Sequence, residues 1–431
     1  MITKLSDCSD HITGGPLEAE LCTHYKQIVQ NRAEDYVMIN MNIKRFLYIN
    51  AEHGRKSGND TLRQLYEITR TLMREDEFIA RCYADDFYLL LRYSDMDPML
   101  QTFLYPLIDA VFDHEDPVFY HNLYLSFGIY FLKDGAFDYE TAKDMAALVR
   151  KGCEHIGNRT FSYEYYRPDL FKEFMDYNEM ADRVTRARFE NAFVPYVQPK
   201  IDLKTQRIVG GEILLRWFDE EGKEVPLSTF LPTLNKHGDI YLVDLNIFEE
   251  VCRYLDRCLK EQRSIVPLSF NVTNTSLFAD EFLEDYLKIL EKYKIPVHYI
   301  EFEFMENIQF DRYNRVKEII DQFHHYGFTC SLDDFGSGYS SFNILLEHQI
   351  DVLKIDQMFF RSTLNEERRS VIHHIIEIAH SLDVKVLAEG VETKDTIDYL
   401  MKMDCDMVQG YYYYKPMPLD AFEKLLDEQN K

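Results

Sequence analysis

Nowhere in this chain of 431 residues do about 18 apolar residues run together, and the N-terminal MITKLSDCSDHITGG lacks an apolar core. Neither a membrane span nor a secretion signal is expected, and the protein is placed in the cytoplasm. The eight cysteines, Cys8, Cys22, Cys82, Cys153, Cys252, Cys258, Cys330 and Cys405, form no Cys-x-x-Cys pair and no dense cluster. That spacing reads as reduced thiols, with neither a disulfide framework nor a zinc site expected. Basic residues are short as well: 48 Lys and Arg stand against 74 Asp and Glu, a formal net charge of -26. A chain so acidic has no broad cationic face for duplex DNA or an anionic bilayer. A nucleotide is not excluded, because a small phosphate ligand needs only a local cation or a bound metal, and surplus carboxylates favour metals. Low-complexity segments and short repeats are also missing.

With 46% hydrophobic residues, a chain of this length supports more than one core, and two domains are expected. From residue 181 onward, β-like runs alternate with amphipathic helical stretches. The runs are VPYVQPK at 194, VGGEILLRW at 209, SIVPLSFNV at 264, VHYIEFEF at 297, FTCSLDD at 328, VLKID at 352, VKVLAEG at 384 and MVQGYYYY at 407. Such alternation over about 250 residues favours a TIM-barrel-like (β/α)8 fold over a doubly wound sheet. The first part reads as a compact α+β domain with an antiparallel component, carried by YVMINMNI, FIARCYADDFYLLLRY and NLYLSFGIYFL. Between them, apolar residues at helical spacing predict a connecting helix. The domains are drawn at 1–166 and 185–431, with the connecting helix at 167–184.

The most informative stretch is SLDDFGSGYSS, residues 331 to 341. A β-like run ends there in adjacent carboxylates, Asp333 and Asp334, before a turn bounded by glycine. Neighbours on a strand point to opposite faces, so the small-residue turn (Gly336, Ser337, Gly338) is expected to lift both side chains toward one opening. Taken alone, such a pair is as compatible with a turn or a helix N-cap. The other strand ends carry the argument further: Glu212, Asn271, Glu303, Lys354, Glu389 and Gln409 all stand at or near the ends of β-like runs, which in a barrel converge on one mouth. Oxygen donors without His or Cys select hard cations, Mg²⁺ or Mn²⁺. Two such ions can clamp a phosphodiester and generate hydroxide from water.

In motif order and spacing, GGEILLRW, FNVTNTSL, EFEFMEN, SLDDFGSGYSSF, LKID, AEGVET and QGYYYYKPMP resemble the EAL family of cyclic di-GMP phosphodiesterases. The resemblance covers essentially the whole second half. It implies metal ligands at Glu212, Asn271, Glu303, Asp333 and Asp334, with Glu389 assisting the attacking water. Lys354 would position that water or offset developing charge, and Gln409 would support the site. Gln198, Leu214 and Arg216 match substrate-contacting positions. Glu306 matches the glutamate holding the loop after the Asp pair, which the family uses in dimer coupling. The signature reads Glu-Ile-Leu rather than Glu-Ala-Leu, and Ile213, in the middle, is expected on the packing side of its strand. Met305 stands in place of the family's usual threonine.

The first domain, from about residue 10 to 165, resembles the GGDEF diguanylate cyclase family with a degraded signature. Tyr83, Ala84, Asp85, Asp86 and Phe87 stand for Gly-Gly-Asp-Glu-Phe, placing side chains where glycine lets GTP approach the backbone. Asn42 and Lys44 occupy the family's aspartate positions and remove the negative charge Mg²⁺ needs, so no cyclase activity is expected. The inhibitory Arg-x-x-Asp appears as Arg74 to Glu77, one methylene longer, and cyclic di-GMP binding there is not favoured. GTP as an allosteric input stays open, with Asn50 the one matching nucleotide-site residue.

His324-His325 and His373-His374 look like ligand pairs, yet helical neighbours point about 100° apart, so helix ends or surface are expected and no metal is assigned to them. Of Tyr411 to Tyr414, at most half are expected to face the mouth and the rest to pack. The sequence therefore predicts hydrolysis of cyclic di-GMP to linear 5'-pGpG with Mg²⁺ or Mn²⁺, by a homodimer whose first domain regulates or dimerises. The alternative is a non-catalytic cyclic di-GMP receptor signalling to a protein partner.

Overall fold

The computed structural model describes residues 9–32, 35–112, 123–135, 138–153, 161–277, 279, 281–305, 313–336, 345, 349–361 and 365–429. The chain divides into two compact units, Met1–Asp176 and Tyr177–Lys431. The segment expected to connect the domains is helical over Pro168–Phe189.

In the first unit, β1 (Val37–Lys44), β2 (Phe78–Tyr83), β3 (Asp86–Leu91), β4 (Tyr124–Phe131) and β5 (Phe161–Tyr165) form one sheet in the order β2-β3-β1-β4-β5. Only the β4–β5 pair is parallel. Both faces of β1 are covered, but only one phase is apolar throughout; the other is apolar at Met38 and polar at Asn40, Asn42 and Lys44. Val37, Ile39, Met41 and Ile43 pack with Leu62, Phe103 and Leu107, while Met38 joins Leu21, Tyr25 and Tyr139 on the other side. On β4, a Cβ at Gly128 would lie 2.0 Å from the Ala146 carbonyl, so only glycine lets the helix Tyr139–Gly152 sit this close. The helix Phe46–Leu72 is kinked at Gly54, where φ is +83°.

In the second unit, eight strands close into a barrel: β6 (Phe193–Asp202), β7 (Ile208–Phe218), β8 (Leu268–Val272), β9 (Ile300–Met305), β10 (Thr329–Phe335), β11 (Val352–Ile355), β12 (Lys385–Ala388) and β13 (Met407–Val408). Neighbours follow chain order from β7 to β13, and β6 closes the ring against both ends. One strand departs from the expected all-parallel pattern: β6 runs antiparallel to β7 and to β13. The reason is the connection. Residues 203–207 alone join β6 to β7, enough for a hairpin and too few for the crossover that a parallel pair requires.

Inside and outside the barrel are set by strand alternation. On β9 the sequence Glu301-Phe302-Glu303-Phe304 puts its glutamates inward and its phenylalanines under the helices. Phe302 packs at 4.6 Å from Phe323, 5.2 Å from Phe328 and 5.4 Å from Tyr286. On β7, Ile213 is buried in the same apolar layer, opposite in phase to Glu212. At the amino ends of β10 and β12 one device recurs: Asp351 accepts the Cys330 amide at 2.7 Å beside His324 at 3.0 Å, and Asp406 accepts the Val386 amide at 2.8 Å beside His380 at 2.8 Å.

On the helix Ile240–Lys260, Asp244 is partly buried and accepts the Ser276 hydroxyl at 2.9 Å. Burial pushes its carboxyl up to about 7, with the Ser276 hydrogen bond only partly opposing. A folded carboxyl that holds its proton more tightly than the unfolded one favours folding below the ordinary value of 3.8, and the advantage is lost as the pH climbs toward 7. Between about pH 4 and about pH 8, the stability of the parent relative to Asp244→Asn should fall by about 4 kcal/mol in urea unfolding. An unchanged difference would show that Asp244 stays ionised throughout.

Candidate active site

The carboxyl ends of the parallel strands surround a cleft of about 370 Å³ lined by Gln198, Glu212, Leu214, Arg216, Asp333, Asp334, Glu389 and Gln409. These eight are all residues expected from the sequence. Alternation brings Glu212, Leu214 and Arg216 to one face of β7, and register sets Gln198 opposite Glu212. Gln409 donates to Glu212 Oε2 at 2.5 Å and to Gln198 Oε1 at 3.1 Å, which orients its amide. Its own Oε1 is buried and has no hydrogen-bond partner among the described residues. Asn271 stands at the rim and donates to Glu212 Oε1 at 2.8 Å. Arg216 is held by Glu224 at 3.0 Å.

Of the small-residue turn expected after the Asp pair, Gly336 takes φ +97°, while Ser337 and Gly338 lie outside the described residues. Asp334 itself adopts φ +57°, and the β10–β11 register shifts between Leu332 and Phe335. This local bulge turns the second carboxylate to the side of the first, at the modest cost of a left-handed Asp. Oxygens of Asp333, Asp334 and Glu389 consequently lie within 4.8 Å of one another.

Beneath them lies a buried charge layer. The Lys354 ammonium, wholly inaccessible, lies 2.8 Å from Glu389, 3.0 Å from Asp333 and 3.7 Å from Glu212, and it donates to Glu303 Oε2. Glu303 is equally buried and offers its other oxygen to Lys200 at 2.8 Å. Lys200 reaches Glu301 at 2.9 Å, and Glu301 also accepts the Ser331 hydroxyl. Lys200 and Glu301 escaped the sequence reading. Their signal was available, since each stands two residues from a predicted site residue, Gln198 and Glu303, and so on the same strand face.

Burial works against the Lys354 ammonium, but Asp333, Glu212, Glu303 and Glu389 outweigh it and raise its pKa well above the ordinary value. Burial likewise opposes ionisation of Glu303, yet Lys200 and Lys354 hold it down at about 2. The carboxyls nearer the mouth go the other way. Burial raises Glu389 to about 8 despite Lys354, and burial with the Asp333 charge raises Asp334 to about 7. Glu212 is raised by burial too, against the pull of Lys354. Among the described residues, six carboxylates face two ammonium groups here, so the cluster carries uncompensated negative charge.

Donor chemistry therefore fits a hard divalent cation: clustered carboxylate oxygens, an amide at Asn271, and an unpartnered carbonyl at Gln409. Glu303 could join the ligands only by giving up a lysine. Glu306 lies outside the described residues. Gln357, Glu392, Tyr411 and Pro416, which the sequence did not single out for the site, also line the cleft. Of the tyrosine run, Tyr411 and Tyr412 are exposed while Tyr413 and Tyr414 pack on the core. The run forms a turn closed by Tyr413 and Tyr414 amides on the Gly410 carbonyl, so strand alternation does not govern it.

In the first unit, Asn42 donates to Asp85 at 2.9 Å and to Asp86 at 3.0 Å. Arg150 lies 3.3 Å from Asp86, and Lys44 donates to the Cys153 carbonyl at 2.8 Å. Ala84 takes φ +46°, in the region that favours glycine. Glu77 caps backbone amides of Arg74 at 2.7 Å and Arg92 at 3.0 Å, which occupies both its oxygens.

Fold and site together define a closed barrel with an acidic, oxygen-donor mouth at the carboxyl ends of its strands. The chain belongs to the EAL domain family, whose model matches residues 181–416, and a diguanylate cyclase GGDEF domain precedes it over residues 15–148. The family includes cyclic di-GMP phosphodiesterases. The signaling protein YkoW of Bacillus subtilis (strain 168) is 26% identical over 430 residues, covering 97% of this chain and 53% of its own. The cyclic di-GMP phosphodiesterase NbdA of Pseudomonas aeruginosa (PAO1) is 23% identical over 402 residues, or 92% and 50%. The chain thus spans about half the length of the curated relatives it matches. Among solved structures, the PaMucR phosphodiesterase in its c-di-GMP complex aligns at TM-score 0.54 and 24% identity over 57% of this chain and 99% of that one. The EAL enzyme Bd1971 with cAMP and cyclic-di-GMP aligns at 0.57 and 21% over 80% and 82%. At these identities the structural likeness concerns the fold. No helix among the described residues is long and apolar enough to cross a membrane.

Removing the central cation tests the charge layer directly. Lys354→Met should cost about 3 kcal/mol, because its buried carboxylate partners lose their counterion. Added Mn²⁺ should then raise the Tm of the variant more than that of the parent. Equal Mn²⁺ responses would mean that the cluster is not short of positive charge.

Proposed function

We propose that the barrel domain hydrolyses cyclic di-GMP to linear 5'-pGpG. The observation that carries this reading is the convergence of Asp333, Asp334 and Glu389 on the cleft that Gln198, Leu214, Arg216 and Gln409 also line. Asp333, Asp334 and Glu389, with Glu212 and Asn271 facing them, would hold Mg²⁺ or Mn²⁺, and ions so held supply Lewis acidity and a nucleophile at neutral pH. Gln198, Leu214 and Arg216 orient the nucleotide against the carboxylates. Glu389 takes the proton of the attacking water at the carboxylate oxygen that Lys354 does not hold, a role suited to a carboxyl whose affinity for protons is raised into the working pH range. Water adds to one phosphorus, the bond from that phosphorus to the 3' oxygen breaks, and the leaving oxygen acquires a proton. Lys354 faces the charge that builds on the phosphoryl oxygens.

The first domain is read as catalytically inactive, in a regulatory or dimerising role within a homodimer. An amide at Asn42 already occupies the carboxylates of Asp85 and Asp86, and Lys44 adds a cation where the cyclase family has an aspartate.

Purified protein incubated with cyclic di-GMP and Mg²⁺ or Mn²⁺ should yield pGpG, and Glu389→Gln should lower kcat by on the order of 100-fold with little change in KM. Intact substrate in every condition would refute the enzyme and favour the receptor. GTP with Mg²⁺ should give no cyclic di-GMP, and formation of any would overturn the assignment of an inactive first domain.

A further inference from the structure

We propose that Lys200 is a positioning residue of the barrel mouth, holding Glu303 by one oxygen so that the other fixes the Lys354 ammonium among Glu212, Asp333 and Glu389. This inference rests on the phosphodiesterase reading for its kinetic part.

The geometry begins with a shortage of protons. An ammonium has three, and Lys354 faces four carboxylates, so hydrogen bonding alone does not dictate which three it serves. Glu303 is the member that cannot relocate toward solvent, because its side chain is fully buried and its strand is backed by Phe302 and Phe304. Its orientation depends on the second lysine. Lys200 reaches it from β6, which is not hydrogen-bonded to β9, so the side chain spans the barrel interior.

The bland alternative makes Lys200 merely the counterion of Glu301, and a charge-neutral cycle separates the two. In Glu301→Gln the Lys200 to Glu303 contact persists. In Lys200→Gln combined with Glu301→Gln both members of the pair are neutral, so the fold loses no net charge balance while Glu303 loses its second anchor. Lys354 then has Glu303 to itself and is drawn toward it, away from the carboxylates at the mouth.

With positioning, Glu301→Gln keeps kcat within about twofold of the parent, while the double variant loses on the order of tenfold in kcat at unchanged KM for cyclic di-GMP. Calorimetric Mn²⁺ binding to the double variant without nucleotide should tighten by about threefold or more, because Lys354 competes less for the mouth carboxylates. Parental kcat and parental Mn²⁺ binding in the double variant would overturn the proposal, as would a loss in Glu301→Gln as large as in the double. Thermal unfolding of both variants checks that each is folded. Should the parent itself leave cyclic di-GMP intact, the phosphodiesterase reading fails alone, and Mn²⁺ binding still decides the role of Lys200.

Discussion

A single ammonium in the floor of the barrel, that of Lys354, is the contact on which the mouth depends. Four carboxylates from four different strands lie within 4.0 Å of it, and none of them tolerates burial without a cation. Its position organises a gradient. Glu303, squeezed between two lysines, is firmly ionised, whereas Glu389 and Asp334, closer to the opening, hold protons far above the usual carboxylate range. At depth the two lysines match Glu301 and Glu303, while near the opening carboxyl oxygens are in excess over cations and hold protons. That excess is what gives a divalent cation and a phosphodiester a reason to settle there.

The barrel achieves this by placing short strands rather than by shaping a loop. Side chains two residues apart on one strand become a column, as with Gln198 at the cleft and Lys200 below it in the charge layer. The reversed first strand matters because its hairpin with β7 brings Gln198 opposite Glu212 in register. Among the described residues of the site, Asp334 is the non-glycine with a left-handed backbone, and it converts two residues of opposite phase into neighbours.

The first domain offers a counterpoint built from the same chemistry. Where a cyclase would present carboxylates to a metal, Asn42 presents an amide that binds two carboxylates from within the chain. Arg150, 3.3 Å from Asp86, offsets part of the charge of that pair.

The sequence by itself determined the eight barrel strands, the α+β character of the first domain and eight of the residues that line the cleft. Alternation of strands with amphipathic helices is a local property, and the acidic and amide residues stand at strand ends in a spacing that survives translation into a barrel. The reversed β6, the bulge at Asp334 and the engagement of Glu303 by Lys200 were decided only by tertiary structure. Strand direction follows from a connection whose ends must meet in space, and a side chain's phase can be overturned by one residue of backbone. A buried lysine on one strand finds its glutamate only when the sheet closes, because their separation in sequence is about 100 residues and their contact crosses the interior of the ring.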